Sequence, residues 1–289
     1  MKAVELPMRY FRVQTFLLSV TLFIGIAEVH WTFAEENTLP ASIERLDVFP
    51  ARIELPAAGL RSHFLVSAVD PSGRLIDATR VAKFKSLDSQ VAVVEQGTIV
   101  AVAPGVAKVL ATVDGRMATL HVIVGKNQGP PISLRNEVVP VLSRQGCSSG
   151  ACHGSPKGKG GFRLSLRGFD LSVDETTLRG EFFARRVSVL DPDSSLLLRK
   201  PLMHVSHAGG QRLHAGSVSH HVLRNWIAQG RQTDSAVAPR CVSLQLFPPS
   251  GRQLTRQAPN QQFVAIAEFS DGTAKDVTDL AVFTVSNEA

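Results

Sequence analysis

The sequence predicts a multidomain chain: an all-β sandwich, then a mostly α domain, then the first part of a second β-sandwich. Three observations predict it. Short β-rich stretches follow one another at even spacing from Ile43 to Val124, the segment from Pro131 to Ser235 changes to helical spacing, and motifs of the first region return after Arg240. A composition of 44% hydrophobic and 19% charged residues over 289 positions belongs to packed globular material rather than to a disordered chain. The expected boundaries are a signal peptide over 1–34, a sandwich over 43–125, a helical domain over 131–235 and an incomplete sandwich over 241–289.

The N-terminus reads as a secretory signal. Lys2, Arg9 and Arg12 form a basic leader, and Phe16 to Ala27 is a near-continuous apolar run. That run is shorter than the roughly 20 residues a spanning helix needs. Small residues place cleavage after Ala34, or alternatively after Ala27; an uncleaved segment would act as a membrane anchor. In each case the body of the protein is expected outside the cytoplasm.

In the first sandwich the expected strands are Leu46 to Phe49, Phe64 to Val69, Val91 to Val94, Thr98 to Val102, Lys108 to Val113 and Thr119 to Val124. Turn residues separate them at Asp70-Pro-Ser-Gly73, Ala103-Pro-Gly105 and Asp114-Gly115. The chain then repeats itself. Leu46-Asp-Val-Phe-Pro50 returns as Leu244-Gln-Leu-Phe-Pro248, and Phe64, Gly73, Asp77, Thr79 and Phe84 return at a constant offset as Phe263, Gly272, Asp276, Thr278 and Phe283. With Ser270-Asp-Gly-Thr-Ala-Lys-Asp-Val-Thr278 and Gly97-Thr-Ile-Val-Ala-Val-Ala-Pro-Gly105, these segments resemble the bacterial immunoglobulin-like domain, group 2. The resemblance implies a small β-sandwich of surface and secreted proteins, with contacts to the cell surface or to polymers. The second copy reaches Ala289 before the strands that close the first, and a truncated or interrupted version of a longer protein is expected.

Between the copies, Lys126-Asn-Gln-Gly-Pro-Pro131 reads as a linker. Asn136 to Gln145 and Ser219 to Gln229 have helical spacing and end at Gly146 and Gly230. The first of these helices runs into Cys147-Ser-Ser-Gly-Ala-Cys152-His153-Gly154. Two thiols followed at once by a histidine match the attachment chemistry of haem c, with four residues between the cysteines where two are usual. A Cys147–Cys152 disulfide, or a Cys and His zinc site, satisfies the same residues. Cys241 stands alone and receives no role.

The surroundings resemble planctomycete-type secreted cytochrome domains from Asn136 to Gly230. The elements that carry the resemblance are Val138-Val-Pro-Val-Leu142 before the cysteines, Lys157-Gly-Lys-Gly-Gly-Phe-Arg-Leu-Ser-Leu-Arg-Gly168, Asp191-Pro-Asp-Ser-Ser-Leu-Leu-Leu198, His207-Ala-Gly-Gly210 and Trp226-Ile-Ala-Gln-Gly230. The resemblance implies a cytochrome c-like domain with one covalent haem c, fixed by Cys147 and Cys152, with His153 as proximal iron ligand. Met203, His204 and His207 are the distal candidates. The histidine before the glycines recurs in the family, which favours His207, with Met203 next. Val141, Leu142 and Trp226 would keep water from the iron.

From Pro131 to Ser235 there are fourteen Lys and Arg against eight Asp and Glu. Arg163, Arg167, Arg185, Arg186, Arg199 and Lys200 are read as a solvated face, as partners of the haem propionates, or as a docking surface for an acidic redox protein. His214, His220 and His221 are read as surface residues. Export and the lack of stacking aromatics beside the basic groups argue against a nucleic-acid partner. No catalytic triad, phosphate loop or carboxylate pair is evident, so the expectation is an electron carrier and not an enzyme. The rivals are a surface adhesion or scaffold protein closed by a Cys147–Cys152 disulfide, and a fragment of a larger haem-linked surface enzyme.

Overall fold

The computed structural model describes residues 37–284 except 96, 128, 130, 181–184 and 250–253. The expected signal segment, with Lys2, Arg9, Arg12 and both cleavage positions, lies outside the described residues. Among the described residues no helix is long and apolar enough to cross a membrane.

The first module holds β1 (Arg45–Phe49), β2 (Arg52–Leu55), β3 (Arg61–His63), β4 (Leu65–Val69), β5 (Leu75–Asp77), β6 (Lys83–Ser86), β7 (Ala92–Glu95), β8 (Thr98–Ala101), β9 (Gly105–Val113) and β10 (Arg116–Val124). They form sheets ordered β1-β4-β5, β2-β10-β9-β6 and β3-β8-β7. β2 runs parallel to β10. Strict alternation drives the longest pair: Ala107, Val109, Ala111 and Val113 of β9 and Leu120, Val122 and Val124 of β10 point into one core, and the residues between them face outward. Asp114 and Gly115 join the two strands, both at positive φ, which suits the right-handed twist of a two-residue hairpin. Phe64 sits edge-on to Phe84 in that core, ring centroids 5.1 Å apart.

The second copy forms β11 (Cys241–Phe247), β12 (Val264–Phe269) and β13 (Ala274–Asp276), a sheet ordered β11-β12-β13. It reproduces the first copy's hydrogen bonds at the sequence offset. The Thr79 hydroxyl oxygen accepts from the Val66 amide at 2.9 Å, and that of Thr278 accepts from Ala265 at 3.0 Å. Asp77 and Asp276 each accept from the amide two residues on, at 2.8 Å. Leu46 is 8% exposed, whereas Leu244, its equivalent on β11, is 62% exposed. The sheet that covers Leu46 has no counterpart among the described residues of the second copy.

The copies meet through matching positions. The Asp77 carboxylate accepts from the Gln262 amide, and the Asp276 carboxylate accepts from the His63 amide, so positions 63 and 77 of one copy pair crosswise with 262 and 276 of the other. Phe49 stacks on Phe247 with centroids 4.0 Å apart. This is the reciprocal pattern of a two-fold interface, made inside one chain.

One half of the pattern titrates. The His63 Nδ1 lies 2.8 Å from the Asp276 carboxylate, and its Nε2 lies 3.7 Å from Asp279. Burial pulls the imidazole down, but the hydrogen bond and charge of Asp276, helped by Asp279, outweigh burial and Arg61, and His63 ends above its ordinary 6.5. Burial raises Asp276, but the bonds and charge of His63 prevail and hold it below 3.8. A raised histidine contributes in full below 6.5 and loses its contribution as pH rises through its folded value; a lowered aspartate contributes above 3.8 and loses it as pH falls. The junction is therefore expected to be strongest between about pH 4 and 6.5. His63→Gln, which copies Gln262, should flatten the alkaline side of a urea-midpoint against pH profile. An unchanged profile would remove His63 from the account.

The middle segment corrects the fold expectation. The structure is mostly β, with 28% strand and 19% helix, and residues 131–235 do not form a mostly α cytochrome c-like domain. A π-helical turn over Leu134–Val138 leads into α1 (Val139–Arg144); α2 (Leu171–Arg179), α3 (Leu196–Arg199) and α4 (Val218–Ala228) follow, separated by long turns. The helical spacing is local. Glycine, serine and proline crowd the stretch from Gly146 to Gly168, where each interior glycine costs a helix about 1 kcal/mol, and the chain takes turns instead. A separate core still forms, with Leu134, Leu142, Leu198, Leu213, Leu223 and Trp226 at its centre. Leu280 of the second copy packs against it, and Arg144 of α1 donates to the Ala281 carbonyl.

Candidate functional site

α1 aims the cysteine segment. Asn136 hydrogen-bonds the Ser133 hydroxyl at the helix start, and after Arg144 the Cys147 amide still donates to the Leu142 carbonyl at 2.9 Å. The chain then winds into a tight turn in which the His153 amide donates to the Cys147 carbonyl at 3.0 Å and Cys152 and Gly154 both donate to Ser149. A Cβ at Gly154 would lie 2.1 Å from the Ser148 carbonyl oxygen, so only glycine lets the turn close. Gly154→Ala is expected to cost about 1–3 kcal/mol in urea unfolding, as overpacking does. A loss within experimental error would mean that the turn opens freely.

Cys147, Cys152, His153 and His207 line one cavity of about 310 Å³. Val141, Leu142, Leu197, Leu213 and Leu223 make its apolar wall. Lys159, Arg185, Arg186, Lys200 and Arg212 also border it, and among the described residues no carboxylate does. Cys147 and Cys152 are free, half-buried cysteines. Burial, with some help from Cys152, pushes the Cys147 thiol up to about 11, so it is protonated at neutral pH.

The two histidines are held alike. His153 Nδ1 lies 2.9 Å from the Phe162 carbonyl and 3.1 Å from that of Lys159, and His207 Nδ1 lies 2.8 Å from the Gly210 carbonyl. A carbonyl oxygen only accepts, so each Nδ1 carries the proton and each Nε2 keeps its lone pair. The ring centroids are 6.4 Å apart and the planes differ by 13°. Burial lowers His153 below the ordinary 6.5, and the charges of His207 and Arg186 lower it further, against the carbonyl bonds, so it stays neutral at pH 7. Phe162 packs on the His153 ring at 4.6 Å. A Cβ on Gly209 would meet the His207 ring at 2.9 Å.

Met203 and His204 do not border the cavity; Met203 is 48% exposed and sits at positive φ. Of the three distal candidates the structure brings only His207 to His153. Trp226 is fully buried in the core of the segment but does not line the cavity, whereas Val141 and Leu142 do. Among the described residues no three His, Cys, Asp or Glu converge as ligands of a single ion. Sequence reading missed the structural role of Asp174, buried at the start of α2, whose carboxylate accepts from the Ser165 amide at 2.7 Å and hydroxyl at 2.6 Å and so ties the loop after His153 to that helix. Asp170 preceding Leu171 was the available signal, since it caps α2 through Ser172 and Val173. Compared with known proteins, the chain matches no family model and no curated protein.

Proposed function

We propose that this chain is an exported electron-transfer protein that binds one covalent haem c at Cys147 and Cys152, with His153 as proximal and His207 as distal iron ligand. The observation that carries the reading is the histidine pair. Two imidazoles that would share one metal, each with nitrogen about 2.0–2.1 Å from it, can have ring centroids up to roughly 6–6.5 Å apart. His153 and His207 stand at 6.4 Å, nearly parallel, with their Nδ1 protons held by backbone carbonyls. Such bonds fix tautomer and ring orientation and raise the basicity of the ligating nitrogen.

The rest of the donor set fits the same group. Two thiols in reach of the cavity can hold the macrocycle through thioethers, the leucine and valine wall suits its apolar face, and the cations at the border suit its two propionates. When bound, haem supplies a reversible one-electron ferric and ferrous couple. The chain's own contribution is to hold, orient and dehydrate it. The basic border also suits an acidic redox partner, and the β modules serve as spacers at the cell surface.

The test is a pyridine haemochrome spectrum of protein secreted from a host with a working haem-attachment pathway. A c-type band is expected; colourless protein with Cys147 and Cys152 oxidised to each other would overturn the reading and leave adhesion. With both axial positions filled, the wild-type iron should not bind carbon monoxide readily. His207→Ala should keep the attached haem and gain carbon monoxide binding, whereas Met203→Ala should leave the spectrum unchanged. The reverse pattern would transfer the distal role to Met203.

A further inference from the structure

The haem reading leaves open which groups receive the acidic edge of the ligand, and the cavity border distinguishes among its five cations. Arg212 belongs to the cysteine side: a Cβ on Gly146 would lie 3.8 Å from its Nη1, and its charge acts on the Cys147 thiol. Arg186 is engaged, with its Nη2 donating to the Gly161 carbonyl at 2.8 Å and its guanidinium 4.8 Å from the Phe162 ring centre. Lys159 gives its own backbone carbonyl to His153, so its side chain starts from the loop beside that ring and not from α3.

Arg185 and Lys200 remain, and they share a corner. The turn carrying Arg185 is pinned to α3, since the Leu197 amide donates to the Arg186 carbonyl at 2.9 Å and the Ser188 amide donates to the Ser195 hydroxyl at 3.0 Å. Lys200 ends that helix. Both side chains are exposed at the cavity border, and among the described residues neither has a hydrogen bond or ion pair. In haem the vinyl groups and the propionates lie on opposite edges of the ring. The thiols, which follow α1, and two cations without a partner among the described residues, at the end of α3 and on the segment pinned to it, therefore define a direction for the ligand.

We infer that Arg185 and Lys200 form a clamp for the two haem propionates, which sets the ring's orientation and raises its reduction potential. The inference rests on the haem reading above. A cation beside the propionates offsets their negative charge, which otherwise favours ferric iron; removing the cation lowers the potential. The guanidinium can bond a carboxylate through two parallel donors, the ammonium only as a point charge.

The experiment measures midpoint potentials of haem-loaded Arg185→Gln, Lys200→Gln and the double variant, with Arg185→Lys as the charge-conserving change. Arg163→Gln is the control: Arg163 is exposed on the same segment but does not border the cavity, and salt screens its distant charge. The expected result is a lower potential in each Gln variant, a larger fall in the double variant and partial retention in Arg185→Lys, with the covalent haem band intact throughout. Potentials no lower than that of Arg163→Gln would overturn the clamp while leaving the haem reading standing. Wild-type protein without covalent haem would overturn both.

Discussion

Cys147→Ala with Cys152→Ala is expected to remove covalent haem entirely while leaving a site that still binds haem reversibly. In the proposed arrangement the thiols border the cavity without holding the iron; His153 and His207 keep their carbonyl bonds and their separation in the variant. The measurement is acid–acetone extraction: colour stays with wild-type protein and leaves the double variant. Each single variant should hold haem by one thioether, with a haemochrome band displaced from the wild-type position. Haem that resists extraction in the double variant would place the attachment elsewhere, with Cys241 the remaining thiol.

Trp226→Ala is expected to be the most destabilising single change in residues 131–235, at about 3–5 kcal/mol, the usual cost of emptying a buried tryptophan site. Trp226 has no solvent exposure, and its indole N–H donates to the Gln232 carbonyl at 3.0 Å. The substitution opens a cavity and also deprives that carbonyl of its donor, worth about 1 kcal/mol more. Against whole-domain stabilities of about 5–15 kcal/mol this is a large fraction. The first module has its own core, in which Trp226 takes no part, so urea unfolding followed by circular dichroism should lose or shift one transition and keep the strand-rich one. A loss below about 1 kcal/mol would mean that the segment collapses around the gap.

Much of this was legible in the sequence because some signals are local or repeated. The offset that pairs Asp77 with Asp276 and Thr79 with Thr278 marks side chains that must cap the same turn in both copies, and they do. β4, β9 and β10 coincide largely with expected strands because their alternation runs over several residues. β2, β3, β5 and β6 were missed; each has only three or four residues with charged ones among them, whereas the equally short β7 and β8 stand out through the apolar runs Ala92-Val-Val94 and Ile99-Val-Ala101. The mostly α expectation failed because two genuine helical stretches, around Val141 and Leu223, were extended to the turns between them. Cys147, Cys152 and His153 could be found by adjacency. His207 could be named through the family resemblance alone, because its place beside His153 depends on the loop that sets the Gly210 carbonyl on Nδ1 and on a Gly209 without a side chain to push the ring away.

The crosswise contact between the two copies has a mechanical consequence. Tension applied between the N-terminal module and the C-terminal copy is borne first where they touch, through Phe49 on Phe247 and the two aspartate bonds, and not through residues 131–235. The segment that holds the cavity has its own core, touches the second copy at Leu280 and Ala281, and lies in parallel with that bridge. A protein built this way can be stretched without the distance between His153 and His207 changing until the bridge gives.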